Sequence, residues 1–260
     1  MKKINILKII AQEAGEIVKE GYYAHKNITH KGVVDLVTDY DIRTEKFIIN
    51  ALKKEFSEYT IIGEESYLQQ GYTHSKAIYI DPIDGTTNFV HGLPHLAISI
   101  GLWEKGIPLM AVVYNPILEE MYYALKGEGA YYNDMPLCVS NQTALQQSLI
   151  ATGFPYAKVD QGKEYHWVIN SLRSLLPHIR DIRRLGAAAL DLCYLAHGKT
   201  DAFYEIDLKP WDVAGGILIV LEAQGSISNL LGEPFCFEDK GIVASNGAIH
   251  TQLLNHLEAL

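Results

Sequence analysis

Ala77-Ile78-Tyr79-Ile80-Asp81-Pro82-Ile83-Asp84-Gly85-Thr86-Thr87 is the stretch on which the fold turns: an apolar run leads straight into two carboxylates and two hydroxyls. Ala77 to Ile80 is short, apolar and partly β-branched, which predicts a buried strand. Pro82 cannot donate to a ladder and Gly85 permits tight turning, so the chain is expected to leave the sheet here. Asp81 and Asp84 then sit at the strand's carboxyl end. Carboxylates this close repel unless something positive lies between them. A divalent metal meets that need, and oxygen-only ligands favour Mg²⁺, Mn²⁺ or Ca²⁺. The plainer reading is a solvated Asp-Pro/Asp-Gly turn. Further carboxylates in equivalent contexts would separate the two.

Three such contexts occur outside the stretch. Gly63-Glu64-Glu65-Ser66 follows the apolar Ile61-Ile62, where a solvated turn is the alternative. Trp211-Asp212-Val213-Ala214-Gly215-Gly216 places an aspartate where a helix begins, where a simple N-cap would also explain it. Asp41 stands at the entry of another helix, with Asp39 competing for the cap. Taken together, four acidic elements at the ends of apolar segments point to one shared multi-metal site.

The remaining pattern is mixed. Ile4, Leu7, Ala11, Ala14 and Val18 predict a helix over 4–26. A second helix is expected from Asp39 or Asp41 to about Phe56, with Ile42, Phe47, Ile48 and Leu52 inward. Runs 96–103, 109–115 and 121–125 read as an antiparallel meander. In the second half, strands are expected at 149–152, 182–185, 202–205, 226–229 and 242–245. Helices are expected at 162–176, 186–197 and 211–224. Alternating blocks of helices and sheets suggest a layered α/β sandwich. The expected division is 1–147, carrying most of the acidic elements, and 148–260, completing the site.

The chain has 260 residues, 48% hydrophobic and 20% charged, enough for a large core and typical of globular proteins. No apolar run approaches the ~20 residues needed to span a bilayer, so no membrane role is expected. Met1-Lys2-Lys3 resembles a signal-peptide start, but Lys8, Gln12, Glu13 and Glu16 break the apolar stretch such a peptide needs, and a cytoplasmic protein is expected. Cys138, Cys193 and Cys236 are few and scattered, the pattern of reduced structural thiols. The formal charge of −9 argues against nucleic-acid binding.

Ile80-Asp81-Pro82-Ile83-Asp84-Gly85-Thr86-Thr87-Asn88-Phe89-Val90-His91 and Trp211-Asp212-Val213-Ala214-Gly215-Gly216, with Gly63-Glu64-Glu65-Ser66 upstream, resemble the signatures of the inositol monophosphatase-like sugar phosphatases. The resemblance runs from Val34-Asp35-Leu36-Val37-Thr38 to the segment from Ile242 to Asn246. It implies a layered αβαβα sandwich of the fructose-1,6-bisphosphatase-like kind and Mg²⁺-dependent, lithium-sensitive hydrolysis of a phosphate monoester. Two to three Mg²⁺ ions are implied, with Mn²⁺ as a substitute. Glu64, Asp81 and the Ile83 carbonyl would hold the first, which would carry the attacking water. Asp81, Asp84 and Asp212 would hold the second, and Glu64 would hold a third through waters. Thr86 would orient that water with Asp41 behind it as base, and Glu64 as rival base. The Gly85 and Thr86 amides would cradle phosphate. Glu205, Ala188, Asp84 and Asp212 would contact the rest of a small phosphorylated polyol, sugar or nucleotide. No phosphoenzyme is implied, and a homodimer is.

Other residues have plainer readings. His91 and His95 are poor ligands for a hard cation. Lys31 is either a loop lysine near the metals or a surface charge. Arg183-Arg184 is either a phosphate clamp or, preferred, a subunit-interface pair. The tyrosine pairs 22–23, 122–123 and 131–132 suggest packing. Gln224 stands where the family usually has glycine, and Ile206-Asp207-Leu208-Lys209 adds charge beside the sugar pocket. Inositol 1-phosphate is the expected substrate. Fructose 1,6-bisphosphate, NADP(H), histidinol phosphate and 3′-phosphoadenosine 5′-phosphate are the alternatives. A non-catalytic regulator on the same fold is the reading of another class. It would lack a metal carboxylate, and all four are present.

Overall fold

Apolar residues three and four apart form the buried stripe of helix α1 (Lys3–Tyr23), where Leu7, Ala11, Ala14 and Val18 are fully enclosed. The computed structural model describes residues 3–30, 36–67, 71–72 and 74–258. Lys31 and Val34-Asp35 lie outside them. A hairpin of β1 (Ile28–His30) and β2 (Leu36–Thr38) leads into α2 (Asp39–Glu55). Strands β3 (Thr60–Gly63) and β4 (Lys76–Asp84) come next, then the short helix α3 (Thr86–His91). The meander comprises β5 (Ala97–Glu104), β6 (Ile107–Asn115), β7 (Glu120–Leu125), β8 (Gly129–Tyr132) and β9 (Met135–Pro136). The second half contains β10 (Leu149–Thr152), α4 (Lys163–Leu175), β11 (Asp181–Arg183), α5 (Ala188–Ala196) and β12 (Ala202–Ile206). It ends with α6 (Pro210–Glu222), β13 (Ser226–Ser228), β14 (Gly241–Ser245) and α7 (His250–Leu254).

Period-two alternation sorts the strands into layers. In β4, Ile78 and Ile80 pack with Leu7, Ile48 and Leu52 of α1 and α2, whereas Ala77 and Tyr79 face the cluster built on α5 and α6. In β12, Phe203 faces that same cluster and Tyr204 faces Trp167, Val168 and Leu253 of α4 and α7. The seven-stranded sheet has the order β3-β4-β5-β6-β7-β8-β9, antiparallel except for the β3/β4 pair. The five-stranded sheet has the order β11-β10-β12-β14-β13. The result is the expected αβαβα sandwich, with α5 and α6 between the sheets. Each large apolar side chain sealed in these layers contributes roughly 1.5–3 kcal/mol.

Several local expectations are corrected. Ile42 is 55% exposed, and α2 instead turns Asp41, Thr44 and Glu45 inward with Ile48 and Leu52. The α2 cap is Thr38, whose hydroxyl accepts from the Tyr40 N–H; neither Asp39 nor Asp41 occupies that position. Helix α5 starts at Ala188 because Gly186 (φ 97°) and the extended Ala187 precede it. The three thiols are free, but of them only Cys193 is buried; Cys138 and Cys236 are exposed. Among the described residues no helix is long and apolar enough to cross a membrane.

Gln224 adopts φ 69°, the left-handed region that favours glycine, just past the end of α6. Gln224→Gly is expected to stabilise the fold by about 1 kcal/mol. Urea unfolding reads this as a raised midpoint. A lowered midpoint would show that the Gln224 side chain outweighs its backbone cost.

Candidate active site

A strand places residues three apart on opposite faces, so Asp81 and Asp84 could not share a site on regular β4. The register resolves this: Asp81 is opposite Ser99 and Asp84 opposite Ala97, so Pro82 and Ile83 together face one residue of β5. This bulge inserts one residue and returns Asp84 to the side of Asp81. Pro82, with no N–H to lose, fits the interrupted ladder. The expectation that the chain leaves the sheet at Pro82 is therefore corrected: β4 runs on to Asp84, and both acids stand on a strand.

Beyond β4, Gly85 takes φ 92° and α3 begins. A Cβ at Gly85 would sit 3.1 Å from the carbonyl oxygens of Gly186 and His95. Glu64 follows β3, its N–H donating to Ile80 O at 3.1 Å. Asp212 lies in the first turn of α6, and its Oδ2 accepts the Lys209 N–H at 2.6 Å. On β12, Glu205 presses against Gly153 so closely that a side chain there would collide with its carboxylate.

One cavity of about 700 Å³ brings together Glu64, Asp81, Ile83, Asp84, Gly85, Thr86, Ala188, Glu205 and Asp212. Asp41 does not line it. It is buried behind Thr86, whose hydroxyl lies 2.9 Å from Asp41 Oδ1 and 3.1 Å from Ile83 O. The other Asp41 oxygen accepts the Thr38 N–H (2.9 Å) and hydroxyl (2.5 Å). The Ala188 and Ala189 N–H groups donate to the two Asp84 oxygens at 3.2 and 2.7 Å, so the start of α5 engages Asp84. His91 is exposed, and His95 Nε2 pairs with Asp191 Oδ1 at 3.0 Å.

The cavity floor is electrostatically strained. Burial, then the charges of Glu64, Asp84 and Asp212, push the Asp81 carboxyl far above its ordinary range. Burial and Asp212 do the same to Asp84, partly offset by the Ala189 N–H. Burial and Asp191 raise Glu205, with Arg184 opposing. Burial also raises Asp41, against its three hydrogen bonds from Thr38 and Thr86.

The donors are carboxylates, one backbone carbonyl and a hydroxyl, which suit hard divalent cations, and buried acids that repel one another need positive charge. Among the described residues no three His, Cys, Asp or Glu side chains converge as ligands of one ion. Asp81, Asp84 and Asp212 instead lean on backbone amides of Ile83, Ala188, Ala189 and Lys209. Each carboxylate oxygen keeps a further lone pair for a cation. By charge and donor chemistry the residues fit.

Sequence reasoning missed three parts of this region. Glu45, buried on α2, accepts the Glu65 N–H at 2.8 Å and so holds the turn that carries Glu64. Its signal was a glutamate one turn after Asp41, on the face that also bears Ile48 and Leu52. Asp191 lies buried behind Asp84 and Glu205, and an acid within an alanine-rich helix marked it. Phe154 and Lys158 wall the cavity from a segment with no distinctive pattern.

A mixed α/β sandwich with buried acids and a glycine turn around one cavity has the build of a small-molecule phosphatase. A model of the inositol monophosphatase family matches residues 3–260, and the chain belongs to that family. It is 40% identical to "Inositol monophosphatase 3" of Solanum lycopersicum over 252 residues, 95% of this chain and 93% of that one. The structure of the extragenic suppressor protein suhB from Bartonella henselae superposes with a TM-score of 0.92 at 36% identity, covering 99% of each chain. That of SaIMPase-II bound to inositol monophosphate gives 0.81 at 31% identity, covering 98% of this chain and 93% of the other. Membership supports a phosphatase.

Proposed function

We propose that this protein hydrolyses the phosphate monoester of a small polyol, inositol 1-phosphate first among candidates, with Mg²⁺ as cofactor. The observation that carries the reading is the cluster of buried, mutually repelling acids beside the Gly85-Thr86 turn in one cavity. In this reading Glu64, Asp81 and Ile83 O hold one cation, Asp81, Asp84 and Asp212 a second, and Glu64 helps to hold a third. Bound cations supply positive charge for the phosphoryl oxygens and the leaving group, and lower the pKa of attacking water. The Gly85 and Thr86 amides would face phosphate oxygens, on a turn whose φ of 92° and close approach to the Gly186 and His95 carbonyls favour glycine at position 85.

Thr86 has one hydroxyl hydrogen. When it goes to Asp41, the oxygen's remaining lone pair accepts from the attacking water and aims it. Asp41, with its pKa raised by burial, is the proton acceptor reached through Thr86. Glu64, which lines the cavity directly, is the other candidate base. Glu205, Ala188 and Asp84 lie where sugar hydroxyls would bind. The expected setting is the cytoplasm and the expected assembly a homodimer.

A phosphate-release panel with Mg²⁺ tests this, using inositol 1-phosphate, fructose 1,6-bisphosphate, NADP(H), histidinol phosphate and 3′-phosphoadenosine 5′-phosphate. Inositol 1-phosphate should rank among the better substrates. EDTA should stop release, and millimolar lithium should inhibit it. Hydrolysis unaffected by EDTA would refute the cation assignment, and inactivity on the whole panel would refute the reaction.

A further inference from the structure

Glu64, Asp81, Asp84 and Asp212 form the acidic end of the cavity, which Glu205 and Asp207 also line. Three cationic side chains line it, Lys158, Arg184 and Lys209. Lys209 is spoken for: its Nζ lies 3.7 Å from Asp207 Oδ1. Lys158 and Arg184 close no ion pair among the described residues. Lys158 Nζ makes one long hydrogen bond, 3.4 Å to Pro155 O, and rests 5.8 Å from the Tyr156 ring. The Arg184 guanidinium lies 5.6 Å from the Phe154 ring and is packed so close to Gly186 that a side chain there would strike it. Its neighbour Arg183 points elsewhere, bonded to Asp181 Oδ2 at 2.6 Å and Ile182 O at 2.8 Å. The two arginines that the sequence pairs are thus separated, and only Arg184 lines the cavity.

Two cations lining one cavity repel each other as two carboxylates do. Lys158 is held below the usual lysine range by partial burial and then by the Arg184 charge. Glu205 is close enough to feel Arg184 and to offset part of the Lys158 shift, yet it closes no ion pair with either. A phosphate or carboxylate between Lys158 and Arg184 would satisfy both, with the planar guanidinium taking two oxygens. Resting the proposed reaction on the acidic end, we propose that Lys158 and Arg184 form a second anion-binding subsite. A small molecule that carries, besides the phosphate to be removed, a second phosphate or carboxylate therefore gains binding there, which adds such compounds to inositol 1-phosphate as substrates of the same site. Inositol 1-phosphate fills only the acidic end. A sugar bisphosphate reaches both.

Fructose 1-phosphate and fructose 1,6-bisphosphate differ only in the second phosphate and serve as the probe pair. With the full-length protein and Mg²⁺, kcat/KM should be at least tenfold higher for the bisphosphate, mainly through KM. In Lys158→Ala/Arg184→Ala that advantage should vanish, the bisphosphate losing at least tenfold more than the monophosphate. Arg184→Lys should keep part of it. Equal use of both by the wild type, or equal losses in the variant, would overturn the subsite. Hydrolysis of neither compound would count against the phosphatase reading alone. Calorimetric titration then still decides: tighter bisphosphate binding that the double variant loses upholds the subsite, and equal binding overturns it.

Discussion

Asp81→Asn is expected to cut phosphate release by about 10³-fold or more, because one residue would contribute to both cation positions. The same substitution should make the cation-free protein more stable. Asp81 is buried and pressed by Glu64, Asp84 and Asp212, so its ionised form is a burden until a cation arrives. Asparagine retains an oxygen to accept the Ile83 N–H, now 3.0 Å from Asp81 Oδ1, and removes the charge. Melting in EDTA should therefore rise by an amount equivalent to about 1–2 kcal/mol, while Mg²⁺ should no longer raise it.

Acidity should modulate this gain. A carboxyl whose folded pKa lies above its ordinary value of 3.8 costs stability once pH rises toward and beyond that raised value. The gap between variant and wild type in EDTA should thus widen as pH rises and close on acidification. A variant that melts lower in EDTA and still responds to Mg²⁺ would show that Asp81 is neither strained nor a ligand.

Thr86→Ala should lower kcat by about 10²-fold, with Mg²⁺ affinity and KM changed far less. The hydroxyl sits between Asp41 Oδ1 and Ile83 O, so its loss uncouples the cavity from the buried carboxylate while leaving the acidic floor intact. Asp41→Asn should show a similar loss. The double variant should lose little more than either single one, since the two act as a unit. If Thr86→Ala weakened Mg²⁺ binding more than turnover, Thr86 would be part of the cation shell and not the water's guide. If Asp41→Asn retained activity, Glu64 would be the base.

Most elements were legible because their patterns are local. The stripe of α1, the alternation of β4 and the stop of α5 at Gly198 arise from side-chain period and turn chemistry within a few residues. Ile42 misled because an apolar residue at helical spacing can face solvent, while the inward positions went to Asp41 and Glu45. Polar residues turned inward cannot be recognised without their partners: the Glu65 amide for Glu45, and Thr38 with Thr86 for Asp41. The separation of Arg184 from Arg183 is likewise decided by Phe154 and Gly186, distant in sequence or silent in pattern.

From periodicity and motif order came a layered α/β sandwich and the acidic elements at strand and helix ends; the resemblance of the motifs added the family and its αβαβα class. Only the folded chain decided that a bulge at Pro82 turns Asp81 and Asp84 to one side, that Asp41 reaches the cavity through Thr86, and that Lys158 and Arg184 line that same cavity. The physical reason is range. Backbone propensity and burial act between neighbours in sequence, whereas repulsion among charges and the register of a β-ladder depend on atoms brought together from across the chain.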